Sequence, residues 1–189
     1  MYCYHLNLNL EPLKFKLNLE DYLPTGRSTS NLVKFELSDI NPYLVKLLNE
    51  RNIKIGWAEM FIKSPQMTEH EAIHIDEFRG DFVKLNWIWR GAGSTMRWYK
   101  ELQPNNEIPT TGNELNAPYL GFNSTDVAQI HTEALSGPCI IQAGIPHNVV
   151  MGSDFRWALS FVLLDATSGF RKRLSMATSL AALSDLRRI

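Results

Sequence analysis

Between residues 72 and 164 the chain is cut into short segments that all read as β-strands, and this cadence constrains the fold more than any other feature. The segments run over 72–76, 82–89, 94–100, 138–143, 147–151 and 156–164. Each is rich in Val, Ile, Leu or aromatic residues, and Gly, Pro, Asn or Asp separate them. Strands of this length can bury their apolar faces only by pairing into sheets that pack on one another. The expected class is mainly β.

The remainder of the 189 residues suits a single domain, long enough to bury a substantial core. Alternation in Leu6-Asn-Leu-Asn-Leu10 and in Leu13-Lys-Phe-Lys-Leu17 predicts two half-buried strands broken at Pro12. Residues 21–30 read as a loop and 32–37 as another strand. Asn41-Pro42 starts a helix over 43–51, because Asn can cap free amides, Pro suits the first helical position, and Leu44, Leu47 and Leu48 recur at helical spacing. Residues 53–62 return to strand character. The chain therefore divides into N-terminal strands and helix over 1–62, core strands over 72–164 and a C-terminal helix over 168–189. That last helix would be amphipathic, with Leu174, Leu180, Leu183 and Leu186 set among Arg171, Lys172, Arg173, Arg187 and Arg188. A long insert over 103–137, punctuated by Pro104, Pro109 and Pro118, is expected to hold one short helix over 126–135 and to serve as a lid.

A strand points alternate side chains the same way, so His74 and Asp76, in Ala72-Ile-His-Ile-Asp76, project together while Ile73 and Ile75 face the opposite layer. Joined by His147 of Gly144-Ile-Pro-His147, they would offer a metal two imidazole nitrogens and one carboxylate oxygen on one face. Such a set suits iron(II) and leaves the opposite face open for reaction.

Segments on either side of His147 extend the pattern. Val83-Lys-Leu-Asn-Trp-Ile88 leads into Gly91-Ala-Gly-Ser-Thr-Met96, and Arg156 opens the apolar run Arg156-Trp-Ala-Leu-Ser-Phe-Val-Leu163. In this order, over roughly residues 72–163, the sequence resembles the iron(II)/2-oxoglutarate-dependent oxygenases, in particular their prolyl- and asparaginyl-hydroxylase-like members. The resemblance implies a double-stranded β-helix, a jelly roll of the cupin kind with flanking helices. It implies Fe(II) held by His74, Asp76 and His147, and 2-oxoglutarate as co-substrate with Arg156 on its distal carboxylate. The usual pattern has a serine two positions after the arginine, where this chain has Ala158; Ser160 is the next hydroxyl on that face. Asn86, polar on an otherwise apolar or basic face, is a candidate contact to co-substrate or substrate. The activity implied is hydroxylation of a peptidyl side chain or a small molecule.

Other readings stand beside this one. His70-Glu-Ala-Ile-His74 matches the His-Glu-x-x-His pattern of zinc peptidases, which requires a helix, with Thr68 and Glu71 as a capping box. That reading leaves His147 and Arg156 unexplained. His131 could replace a ligand, but its surroundings do not read as strand. The same ligands could serve a cupin-like metal enzyme that does not use 2-oxoglutarate, or the jelly roll could be a binding module without chemistry.

Composition narrows the setting. A formal net charge of -1 gives no reason to expect a nucleic acid partner, and Val162 stands where nucleobase demethylases carry a second arginine. Two cysteines, Cys3 and Cys139, build neither a disulfide framework nor a four-thiolate zinc site. With no signal-peptide pattern and no apolar run approaching about 20 residues, a cytoplasmic protein without a membrane partner is expected.

Overall fold

Twelve strands and two α-helices make up the fold in the computed structural model, which describes residues 1–25, 30–65, 72–103, 108–110, 119–169 and 172–188. The strands are β1 (Cys3–His5), β2 (Ser30–Phe35), β3 (Ile53–Lys63), β4 (Ile73–Asp76), β5 (Val83–Arg90), β6 (Thr95–Glu101), β7 (Ile108–Thr110), β8 (Tyr119–Phe122), β9 (Val127–Glu133), β10 (Gly137–Gln142), β11 (His147–Val150) and β12 (Arg156–Asp165). The helices are α1 (Pro42–Asn49) and α2 (Met176–Ala182). The protein is thus mainly β, and its strands form two antiparallel six-stranded sheets, in the orders β1-β10-β5-β12-β3-β2 and β7-β8-β4-β11-β6-β9.

Alternation along β12 determines what lies on each side of the first sheet. Trp157, Leu159, Phe161 and Leu163 point outward into the larger core, where Leu44 and Leu48 of α1 and Leu174, Met176 and Leu183 of the C-terminal segment cover them. Burying each such side chain contributes about 1.5–3 kcal/mol. Ala158 points the other way, into a second core shared with Ile88, Cys139 and Ile141 of the first sheet and Met96, Trp98 and Val149 of the second. The two sheets therefore face each other as a sandwich. Asn41 caps α1 by accepting a bond from the Tyr43 amide at 2.9 Å, and Pro42 takes its first turn.

Several sequence expectations give way. Residues 6–10 and 13–17 are not strands: beyond β1, only Leu6 and Leu13 make isolated bridges, to Arg187 and Ile40. Their leucines do face inward, since Leu6 and Leu13 are buried and Leu8, Leu10 and Leu17 pack against the larger core. The alternation belongs to extended chain laid over that core, bonded by its backbone to Pro138, Leu186 and Asp39. Residues 126–135 hold no helix but β9, paired with β6. Among the described residues the tail forms the short α2 and a 3-10 turn over Ser184–Leu186, because Arg173 bridges to Leu164 and Leu174 enters the core before α2 begins at its cap, Ser175. His74 lies on β4, which removes the helix that a zinc-peptidase motif needs. Thr68, His70, Glu71, Arg171 and much of the insert, including Pro104 and Pro118, lie outside the described residues. Among the described residues no helix is long and apolar enough to cross a membrane.

Candidate metal centre

His74 and His147 meet because β4 and β11 are antiparallel neighbours and the two histidines are directly opposite in register. Their ring centroids are 4.7 Å apart. Asp76, two residues along β4, shares their face, and one ligand atom from each of the three lies within 4.8 Å of the others. His74 Nε2 is 3.4 Å from Asp76 Oδ1. This group could hold a metal ion.

Both imidazoles are fixed in the same way. His74 Nδ1 donates to the carbonyl of Ala72 at 2.7 Å, and His147 Nδ1 donates to that of Ile145 at 2.8 Å. Each bond places a proton on Nδ1 and leaves Nε2 as the nitrogen available to a metal. Burial, then the neighbouring His74, pushes His147 down to about 4, so its ring is neutral at neutral pH. Burial alone would raise the Asp76 carboxyl, but the Lys84 ammonium and the His74 ring overcome it and hold Asp76 well below the usual carboxylate range. Two imidazole nitrogens and one ionised carboxylate oxygen form a donor set that fits iron(II) and other first-row divalent ions.

The loops that carry the ligands are braced against each other. Gly144, just before His147, runs so close to Gly80 that an added Cβ would lie 1.9 Å from the Gly80 carbonyl oxygen. The Gly80 amide in turn donates to the Gly144 carbonyl at 3.0 Å, and the Asp76 amide to Ala143 at 3.3 Å. Immediately after Asp76, Glu77 takes φ 60°, a costly conformation for a side-chain-bearing residue. An ion pair with Arg173, whose guanidinium lies 4.1 Å from the Trp57 ring centroid, anchors that turn. Arg79 clamps the same loop to β6 with two bonds to Glu101, of 3.0 and 2.7 Å.

Sequence reasoning missed Lys84 and Glu59, which back the carboxylate from the opposite sheet. Lys84 Nζ is 2.8 Å from Asp76 Oδ2 and 3.6 Å from Glu59 Oε1, and its side chain is only 5% exposed. Burial would lower Lys84, yet Asp76 and Glu59 raise it; burial raises Glu59 against the pull of Lys84. The sequence did carry a signal: Lys84 sits two positions before Asn86 in an otherwise apolar strand, a costly position for a charge that has no partner. Asp76 thus gives one oxygen to lysine and turns the other toward His74.

Arg156, Ala158 and Ser160 line the inner face of β12, opposite to Trp157, Leu159 and Phe161. Arg156 and Ser160 are both buried. Gly91, at φ +79°, admits the arginine stem, since a Cβ there would lie 3.0 Å from the Arg156 Cβ. Asn86 shares a rung with Ser160 on one side and Cys139 on the other. Its Oδ1 is buried and has no hydrogen-bond partner among the described residues. Lys84 is level with Val162, so the backbones of Lys84 and Arg156 stand roughly 20 Å apart along the sheet at about 3.3 Å per residue. The inner face thus has a cation at each end, with Asn86 and Ser160 between them. Trp87, Trp98 and Trp157 are buried core residues.

No family model and no curated protein matches the chain. Among solved structures it is similar to "X-Ray structure of E. coli ycfD", at 14% identity and a TM-score of 0.33. The match covers 69% of this chain and 29% of that one, and a superposition this loose bears on neither fold detail nor activity.

Proposed function

We propose that this chain is an iron(II)- and 2-oxoglutarate-dependent oxygenase, built on a double-stranded β-helix, that hydroxylates a peptidyl side chain or a small molecule. The observation that carries the reading is the convergence of His74, Asp76 and His147 with both imidazoles held through Nδ1 and the carboxylate ionised. A site prepared in this way, inside a sandwich and not at a surface turn, suits a reactive metal. The winding supports the jelly roll: β3, β5, β10 and β12 lie in one sheet and β4, β6 and β11 in the other, so that much of the chain crosses between sheets at each step.

Bound together, iron(II) and 2-oxoglutarate supply oxidative decarboxylation of the keto acid to succinate, coupled to insertion of one oxygen atom of O2 into a substrate C–H bond. The protein's part is positioning. His74 and His147 present Nε2, and Asp76 presents Oδ1 while Lys84 fixes its other oxygen. Arg156 offers a buried guanidinium for the distal carboxylate, with Ser160 as the hydroxyl on its face where Ala158 replaces the usual serine. Asn86 offers the space between the sheets an amide oxygen that still lacks a donor.

The test is succinate release by iron-loaded protein incubated with 2-oxoglutarate, O2 and a panel of peptides and free amino acids. Stimulation by a panel member, lost in His147→Ala, is the expected result. Turnover of substrate without need for 2-oxoglutarate would instead mark a cupin-like metal enzyme. Absence of both metal binding and turnover would leave a binding module.

A further inference from the structure

The geometry points to a second metal site, formed by Cys3, His131 and Glu133 at the rim of the sandwich, for a thiophilic divalent ion of the zinc class. Cys3 lies on β1, the outermost strand of the first sheet, and His131 and Glu133 lie on β9, the outermost strand of the second. One ligand atom from each, sulfur, nitrogen and oxygen, lies within 4.8 Å of the others, and His131 Nε2 is 3.6 Å from Glu133 Oε2. Bond lengths of about 2.0–2.3 Å to zinc place tetrahedral ligands roughly 3.3–3.8 Å apart, so the trio needs only a small contraction.

Two features of the fold aim these side chains. The pairing of β9 with β6 shifts register beside Trp98, where His131 faces Trp98 but Gln129 faces Tyr99. Ile130 is the extra residue of this bulge, and it reverses the facing of the residues beyond it. Val127 packs on the outer face of the second sheet with Ile73, Ile75 and Tyr99, whereas His131 and Glu133 turn inward toward Cys3. The His131 ring is then held by aromatic contacts, 5.4 Å from the Tyr2 centroid and 5.5 Å from that of Trp98. Trp98 is itself anchored by its indole N–H, which donates to the Gln142 carbonyl at 2.9 Å.

Sulfur, imidazole and carboxylate together form a zinc-type donor set, and the sulfur separates this site from the nitrogen- and oxygen-only centre at His74. Three protein ligands leave a fourth position for water, in keeping with the partial exposure of all three residues. The ion would tie the edge strand β1 to β9 and close the two sheets at this rim. This inference does not rest on the oxygenase reading.

Cobalt(II) serves as the probe, added to the metal-free protein, because a cobalt–thiolate bond gives a near-ultraviolet charge-transfer band that the His74 centre cannot produce. The band is expected in wild type and in His147→Ala, saturating at one equivalent at this site and displaced by zinc. It should vanish in Cys3→Ser and persist in Cys139→Ala, which removes the buried second thiol. Zinc should also raise the thermal midpoint of His147→Ala but not that of the Cys3→Ser, His147→Ala double variant. No band in wild type, or a band that survives Cys3→Ser, would overturn the site.

Discussion

The Lys84 ammonium governs what the Asp76 carboxylate can do, and its removal should be felt first in the metal-free protein. Lys84→Met would leave Asp76 and Glu59 without their shared cation in a largely closed site, at a cost of about 3 kcal/mol. A divalent ion on Asp76 should restore much of that loss. Urea unfolding with and without manganese(II) reads the difference, and a loss that metal leaves unchanged would separate Lys84 from the centre. His147 carries a second, pH-dependent expectation. Its folded value of about 4 lies below the ordinary 6.5, so between these limits the unfolded chain binds a proton that the folded chain refuses. Stability of the metal-free protein should therefore fall as pH drops from 6.5 toward 4, by up to about 3 kcal/mol. His147→Gln should flatten that slope in unfolding free energy measured across the same window. Arg156→Ala should weaken 2-oxoglutarate binding to the iron-loaded protein by about 2–5 kcal/mol, Arg156→Lys by less, with iron affinity retained in both. Isothermal titration measures all three, and equal 2-oxoglutarate affinity in wild type and Arg156→Ala would place the co-substrate elsewhere. The candidate triad was legible in part because His74 and Asp76 stand two apart on one strand, which puts them on one face. Lys84 was not, because its partners Asp76 and Glu59 come from two other strands and meet it only in the fold.

At the scale of elements, the strands from 72 onward were legible because each carries its own apolar side and its own terminating turn. The errors have identifiable causes. Alternation at 6–17 records which side of the chain is buried, and an extended segment lying on a core satisfies it as well as a paired strand does. In β9 the bulge at Ile130 breaks the alternation halfway, so the segment no longer scans as a strand, and the inward turn of His131 is hidden with it. The contact between Gly80 and Gly144 was likewise invisible, since it joins two loops that are distant in sequence. It yields a prediction for the loops as a unit: Gly144→Ala should force them apart, costing about 1–3 kcal/mol of stability. Because Asp76 and His147 flank that contact, metal affinity should fall with it. Thermal unfolding together with a manganese titration would test this, and unaltered affinity would mean that the loops do not position the ligands.

For the whole molecule, the sequence pointed to a mainly β chain, and the two packed antiparallel sheets agree with that. Less legible was how the N- and C-terminal parts are used. β3, read as part of an N-terminal region, is flanked by β12 and β2 within the first sheet, and the short α2 with its neighbours seals the outer core. The sandwich therefore carries an apolar cluster on each outer face and a third between the sheets, and His74, Asp76, His147, Lys84, Asn86 and Arg156 also face that inner space. The proposal stands or falls on whether this inner face holds iron(II) at the triad and 2-oxoglutarate beside it. The visible spectrum of the anaerobic protein, titrated with iron(II) and 2-oxoglutarate together, decides the matter. A weak charge-transfer band that requires both components and disappears in Asp76→Ala is expected. No band in wild type, or an equal band in Asp76→Ala, would refute the assignment.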